Sequence, residues 1–358
     1  MSRIQRSWQS VSMLSLLLWP IARFYLALLT IRRYTYKKGW ACAEEVPLPV
    51  IVVGNLSVGG TGKTPLCAYL VSRFKRAGWK PAIVSRGYGG KRHERAHLLS
   101  EDDSPALVGD EPIMLFKQTE VPVCVCVNRS EAVRKIAQET QADIVFSDDG
   151  LQHLAMPRIA EIVVVDGQRG FGNGWVMPAG PLRDSFASLS DSQYIAVQVA
   201  SEKETNPLPF DVSLLHSSLL RNKATPFIES QLDNQFSLVP AAAVNVSTGE
   251  KVSLESFYGQ RVHAVAGIGH PKRFFDTLSR LGLEPIEHPK ADHAAYTIDD
   301  LTFDDDLPIM VTTKDAVKLE GLTGLPSNLF QIDTSVHISD SLDTAITELE
   351  DALDPLRQ

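Results

Sequence analysis

The chain predicts an α/β fold: a parallel-sheet domain with an apolar helix before it and a second, smaller α/β domain behind it. Three observations carry this. Apolar runs of strand length alternate with segments of helical period between Val50 and Asp166. The first run, Val50 to Val53, empties into Ser57-Val-Gly-Gly-Thr-Gly-Lys-Thr-Pro65, a Gly-rich turn that opens a helix. A later run, from Asp143, ends on the acids Asp148 and Asp149. The expected organisation is an N-terminal helix over 1–40, a P-loop domain over 41–205 and a second domain over 206–358, closing over the site, with a C-terminal helix able to pack back on the first. The polar, Pro-containing stretch 202–208 marks the expected boundary.

The Gly-rich turn reads as a P-loop of the NTPase type. Backbone N–H groups from Ser57, Val58, Gly59, Gly60, Thr61 and Gly62 face a phosphate at the helix N-terminus, Lys63 reaches the β/γ-phosphates, and Thr64 offers a hydroxyl to Mg²⁺. Pro65 sits in the first helical turn, where its missing N–H costs little. The usual pattern has glycine where this chain has Ser57, so the loop is a variant held by Gly59, Gly60 and Gly62. ATP and Mg²⁺ follow as cofactors, with Asp148 and Asp149 as hard oxygen ligands at a strand end.

Composition narrows the partners. A formal charge of −8 argues against nucleic acid, whose binders carry a basic footprint. The four cysteines, Cys42, Cys67, Cys124 and Cys126, lack metal spacing and suggest no disulfide framework. Cys124 and Cys126 alternate within Val121 to Val127 and so face one side of a strand.

The apolar stretch Val11 to Ile31, followed by Arg32, Arg33, Lys37 and Lys38, breaks the soluble pattern. Pro20 and Arg23 interrupt it, which disfavours a cleaved signal peptide. A transmembrane span fits on length but sets Arg23 near the bilayer centre, at roughly 2.5–3.5 kcal/mol on insertion scales. A helix lying in the interface fits better: Ser12, Ser15, Arg23, Thr30, Arg33 and Lys37 fall near one stripe and leave a broad apolar and aromatic face. A core helix of a soluble protein is the third reading.

Beyond the P-loop helix, Pro81 to Ser85 reads as a strand that enters a second Gly-rich loop, placing Arg86 and Tyr88 at the crevice of an α/β sheet. Asp110 and Glu111 open a helical run, where the helix dipole favours acids. Arg129 follows the strand Val121 to Val127 and is placed to pair with a phosphate. Glu161 to Asp166 is another strand. The long Gly- and Pro-rich segment 167–184 carries Phe171, Trp175, Val176 and Met177, which argues for an ordered, functional loop. Further on, strands are expected at Arg261, Pro308 and Leu329–Ile332, with helices from Pro271, after Thr313 and from Ser341. Gly267 and Gly269 are too few for a dinucleotide fingerprint.

Taken together, the P-loop, Ser85-Arg-Gly-Tyr-Gly-Gly90, Gly109-Asp-Glu-Pro112, Ser147-Asp-Asp-Gly-Leu-Gln-His153, Asp166 to Arg183, Asp292-His293 and Thr313-Lys-Asp-Ala-Val-Lys318 resemble the tetraacyldisaccharide 4'-kinase family over nearly the whole chain. The resemblance implies transfer of the ATP γ-phosphate to the 4'-hydroxyl of a tetraacylated glucosamine disaccharide 1-phosphate, forming lipid IVA at the cytoplasmic face of a Gram-negative inner membrane. It implies Asp110 and His293 as a catalytic pair beside Lys63, Thr64 with Asp148 and Asp149 at the metal, and His153 in a segment of the site. Arg86 and Arg129 join His153 as candidate substrate contacts. Gly180-Pro-Leu-Arg183 closes on Asp184 where the family has glutamate, which keeps the charge and shortens the reach. A membrane glycolipid is then the partner, and no obligate protein partner is expected.

Rival readings are weaker. A partner-regulated, membrane-associated P-loop switch ATPase needs a signature lysine where the chain has Val58. A GTPase needs an aspartate at Ala316, two residues after Lys314. A scaffold needs no strand-end acids beside a P-loop.

Overall fold

The computed structural model describes residues 7–91, 94–185, 188, 193–200 and 230–357; the boundary expected at 202–208 lies outside them. Buried β-branched runs form β1 (Val50–Gly54), β2 (Pro81–Ser85), β4 (Val123–Val125), β5 (Ile144–Asp148), β6 (Ala160–Asp166) and β7 (Gln193–Val199), with the short edge strand β3 (His97–Leu98). They pair in the order β7-β6-β1-β5-β2-β4-β3, parallel except at β3. Between them run α2 (Lys63–Arg76), α3 (Pro105–Val108), α4 (Asp110–Thr119) and α5 (Arg129–Glu139), after the N-terminal α1 (Met13–Lys37). Strand β4 is shorter than the expected run, and Cys124 and Cys126 both face the cluster that holds Val84 and Ile136.

The second lobe is built from β8 (Gln235–Asn245), β9 (Lys251–Val252), β10 (Arg261–Ala266), α6 (Pro271–Arg280), β11 (Glu284–Pro289), β12 (Ile309–Thr312), α7 (Thr313–Leu319), β13 (Leu329–Ile338) and α8 (Asp340–Leu353). One sheet runs through both lobes. The lobes meet at the antiparallel pair β8–β13, whose register runs from Phe330 opposite Asn245 to Ile338 opposite Phe236. Strand β7 joins this ribbon at one end, Val197 opposite Gln235, and β12 joins at the other, Thr312 opposite Ile332. Both attachments are parallel, so the strands of each lobe run toward the middle of the ribbon. Their carboxyl ends therefore face each other across a cleft of about 2230 Å³, lined from the ribbon by Leu238, Pro240, Asp333 and Ser335. The register shifts between Asp333 and Thr334, beside Pro240, where a proline would leave a ladder bond unmade.

Because β13 ends at the first lobe, α8 lands there: Leu342, Ile346, Leu349 and Leu353 enter the core formed by Leu66, Leu70, Phe74 and Phe146. Arg73 donates to Glu350 at 3.0 Å and to Thr347 at 2.7 Å.

Helix α1 departs from the soluble-core reading. It buries Ser15 and Ala22, and Leu18, Tyr25 and Leu26 pack on Leu56, Val163 and Leu182. Met13, Leu17, Ile21, Phe24, Leu28 and Ile31 point outward, with Met13 84% and Leu17 75% exposed. It is long and apolar enough to cross a membrane by length and composition.

Leu349 is buried at the seam between α8 and the first lobe, so Leu349→Ala leaves a cavity costing about 2–5 kcal/mol. Urea unfolding followed by tryptophan fluorescence reads the lowered midpoint.

Candidate active site

The P-loop leaves β1 between β5 and β6, both of which end in an aspartate, Asp148 and Asp166. Asn55 donates to the Ser57 carbonyl, and Val58 N–H donates to Pro181 O at 2.8 Å, so the segment 167–184 braces the loop. Gly62 has φ +79°, and a Cβ there would lie 3.2 Å from the Phe236 ring, so only glycine fits this turn. Lys63 is buried at the start of α2. Burial alone would lower its ammonium, but Glu111, Asp149 and Asp148 outweigh it and leave it raised.

Thr64 Oγ1 donates to Asp148 Oδ2 at 3.2 Å. Asp148 is buried, which pushes its carboxyl up despite Lys63, and its Oδ1 has no hydrogen-bond partner. An orphaned buried carboxylate oxygen beside a threonine hydroxyl fits a hard divalent cation. Asp149, at φ +54°, turns the other way. Arg183 Nη1 donates to both of its oxygens at 2.8 and 2.9 Å, and Arg129 Nη2 donates to its carbonyl at 2.7 Å. Arg129 thus holds the Asp149 backbone through Nη2, while its buried Nε has no hydrogen-bond partner.

Across the cleft, His293 Nδ1 donates to Asp110 Oδ2 at 3.0 Å. Asp110 heads α4 in the first lobe, and His293, at φ +58°, follows β11 in the second. Burial pushes Asp110 up, but the bond from His293 and the charges of Lys318, His293 and Lys314 outweigh it and hold the carboxyl below its ordinary value. Lys318 Nζ lies 3.6 Å from Asp110 Oδ2, and Lys314 Nζ lies 3.5 Å from His293 Nε2 and 3.4 Å from Glu111. Tyr88 stands edge-on to His293, with ring centroids 5.2 Å apart. The Gly-rich loop after β2 makes room: a Cβ on Gly89, φ +87°, would press on His293 Nδ1 at 3.2 Å.

Arg86 and His153 also line the cleft, Arg86 exposed and His153 half-buried. The residues missed by sequence are Glu111, Arg183, Lys314 and Lys318: Lys314 pairs with Glu111 and Lys318 with Asp110 across the cleft, and Arg183 with Asp149 within the first lobe. Asp166 gave a usable signal, since it ends its strand as Asp148 does.

A parallel sheet with a P-loop between two acid-ended strands, faced by a carboxylate–imidazole pair, defines a P-loop phosphotransferase. The family model described as tetraacyldisaccharide-1-P 4'-kinase (LpxK) matches residues 14–351. A tetraacyldisaccharide 4'-kinase of Alkalilimnicola ehrlichii is 42% identical over 85% of this chain and 83% of its own length. That of Hahella chejuensis is 39% identical over 88% and 87%. The solved LpxK of Aquifex aeolicus, in complex with ATP, superposes with TM-score 0.73 at 25% identity, covering 95% of this chain and 99% of its own. The chain belongs to the tetraacyldisaccharide 4'-kinase family. Membership sets aside the switch-ATPase, GTPase and scaffold readings.

Burial, with Arg129 and Arg158 nearby, lowers His153 from 6.5 to about 4. Between those values the unfolded chain takes up a proton that the folded chain refuses, so stability falls as pH drops through this window and is unaffected above it. His153→Gln removes that contribution. Thermal melts from about pH 7 to about pH 4.5 then show a smaller loss of Tm for the variant than for the parent.

Proposed function

We propose that the protein transfers the γ-phosphate of ATP to the 4'-hydroxyl of a tetraacylated glucosamine disaccharide 1-phosphate, forming lipid IVA, at the cytoplasmic face of the bacterial inner membrane. One observation carries the reading: the Asp110–His293 pair faces a P-loop in a cleft whose mouth is lined by Tyr25 and Arg32 of an apolar helix. Family membership and the ATP complex of the Aquifex relative support the donor and acceptor.

The residues divide the work. P-loop amides from Ser57 to Gly62 and the Lys63 ammonium hold the phosphates, in line with the acceptor. Thr64 Oγ1 and Asp148 would hold Mg²⁺, which neutralises phosphate oxygens when bound. Asp149 keeps Arg183 in place at the same edge. His293 Nδ1–H occupies Asp110 Oδ2, which leaves Oδ1 to accept the hydroxyl proton. A carboxylate suffices as acceptor, because the proton leaves late in a loose transition state. Arg86 and His153 stand along the acceptor's side of the cleft.

The helix lies in the membrane interface rather than across it. Its inward contacts run from Ser15 to Arg33, which pairs with Asp184. At 1.5 Å per residue that is about 27 Å, close to the full hydrocarbon thickness. A span would strip all of these contacts from the first lobe, while a flat helix keeps them and buries Met13, Leu17, Phe24 and Ile31 in lipid.

Asp110→Ala lowers kcat by about a hundredfold to ten-thousandfold. ATP affinity stays near that of the parent, and equal loss of ATP binding would assign Asp110 to the metal or the fold. Phosphate transfer to the glycolipid, located by mass spectrometry, is the readout. Leu17→Glu with Phe24→Glu releases the protein from anionic vesicles in a flotation assay, while nucleotide binding in detergent is retained.

A further inference from the structure

Helix α7 holds a buried acid that the proton-handling pair does not touch. Asp315, 0% exposed, lies in the first turn, where its Oδ2 accepts from Thr312 Oγ1 at 2.7 Å and from Gly267 N–H at 3.1 Å. Those two bonds tie the helix to the loop after β10, and they account for one oxygen. The other, Oδ1, accepts from Lys318 Nζ at 3.0 Å, three residues on. Lys318 Nζ also donates to Gly267 O at 3.2 Å and lies 5.6 Å from the centre of the Tyr296 ring. With its side chain 7% exposed, the lysine is seated by groups of the second lobe alone.

An ammonium has three donors, and two of them serve inside the second lobe. Asp110 Oδ2 of the first lobe lies 3.6 Å from the same nitrogen, beyond a hydrogen bond but within ion-pair reach in a buried setting. Asp315 supplies the counter-charge of the buried lysine, so Lys318 attracts Asp110 without tying it into a contact pair. His293 Nδ1 meets that oxygen too, so both groups of the second lobe gather on Oδ2. Oδ1 is left beside the Gly-rich loop after β2, where a Cβ on Gly89 would lie 3.4 Å from it. Glycine at that point keeps the flank of Oδ1 clear.

We propose that Lys318, seated on Asp315, is a positioning residue for the phosphoryl transfer that acts through Asp110, drawing Oδ2 to the second lobe and presenting Oδ1 to the acceptor hydroxyl. The inference rests on Asp110 as the proton acceptor. Lys318 also favours the ionised carboxylate: burial opposes that form, and His293, Lys318 and Lys314 outweigh the burial. The other titratable groups around the pair are Glu111 in the same turn of α4, Asp292 3.7 Å from His293 Nε2, and Tyr88 edge-on to the imidazole. Because Lys318 stands on α7 and Asp110 on α4, the acceptor is oriented only where the two lobes meet.

The test uses the full chain in detergent, with carbon-13 aspartate and the Asp110 carboxyl signal assigned by its loss in Asp110→Asn. Lys318→Met raises the pH at which this signal titrates by about one unit, since a carboxylate that loses a nearby cation takes up its proton more readily. Lys318→Met combined with Asp315→Asn leaves no buried charge unpaired and shifts the signal the same way, which covers a fold weakened by the single change. At about pH 8 both variants lose about tenfold in kcat, through misorientation, while KM for ATP and for the glycolipid stays within about threefold. On an Asp110→Ala background the same changes cost less than about twofold, because the group they act through is gone. An unmoved titration overturns the idea. So does an equal loss of kcat on the Asp110→Ala background, which would make Lys318 a prop of the fold, or a raised KM with kcat retained, which would make it a substrate contact. Parental turnover in Asp110→Ala itself would sink the acceptor reading instead, and the carboxyl titration, which needs no turnover, still decides whether Lys318 acts on Asp110.

Discussion

The hydrogen bond from His293 to Asp110 binds the chemistry of this protein to the relative placement of its lobes. Neither lobe holds the site alone. The first supplies the P-loop, the open carboxylate of Asp148 and Asp110; the second supplies the imidazole and the lysines that keep Asp110 ionised. Apart from the β8–β13 ribbon, α8 and Val317, which is buried in the first lobe's core, the side-chain bonds across the cleft among the described residues involve a charged group, as in Asp166 to Arg273, Glu111 to Lys314, Asp110 to Lys318 and Lys117 to Glu320. Partly exposed ion pairs are worth little each, and polar interfaces between domains part more readily than apolar ones. On the proposed function, a cleft joined this way leaves room for a lipid headgroup and brings the carboxylate and the imidazole together.

The charge layout argues for function over stability. Three carboxylates surround Lys63, and one of them, Asp148, is buried with an oxygen left unpaired. Leaving a buried polar atom unsatisfied costs free energy that a core selected for stability would avoid. The arrangement makes sense if a cation completes it. The opposite flank repeats the pattern with a protein cation, since Asp166 is saturated by two arginines. One strand-end acid is left open and its counterpart is filled, so the P-loop has an open carboxylate on one flank and an arginine-paired one on the other.

Much of the first lobe was legible because its signals are local. A β-branched strand, a glycine turn with Lys63 and Thr64, and an acid-ended strand each declare themselves within ten residues. Strand β8 was not: Gln235–Asn245 contains Pro240 and three successive alanines, which read against a strand, and Pro240 is tolerated only beside the register shift at Asp333. Strand β13 looked half its true length because only Leu329 and Ile332 enter a buried core. Arg169 reaches Gly60 across 109 residues of chain, Lys314 reaches Glu111 across 203 and Lys318 reaches Asp110 across a similar stretch, and no periodicity reports such contacts. The polar stripe of α1 was legible only in part. Arg33 and Ser15 turn inward to the protein, while Arg23 stacks over Trp19 on the outside.

On the interfacial placement proposed for it, the same helix fixes how deep the reaction sits. Arg183 and Asp184 are neighbours in the chain, yet Arg183 grips Asp149 while Asp184 grips Arg33 of α1, and Tyr25 donates to the Arg183 carbonyl at 3.3 Å. A two-residue strut therefore joins α1 to the acid segment that follows Asp148. Where the outward face of α1 sets the plane of the lipid surface, the strut sets the distance from that plane to the phosphate cradle. An acceptor whose acyl chains stay in the bilayer can offer its hydroxyl only at headgroup height. Placing the P-loop at that height, by packing α1 on the first lobe, does for a lipid substrate what a binding pocket does for a soluble one: it removes the search along the membrane normal before the chemistry begins.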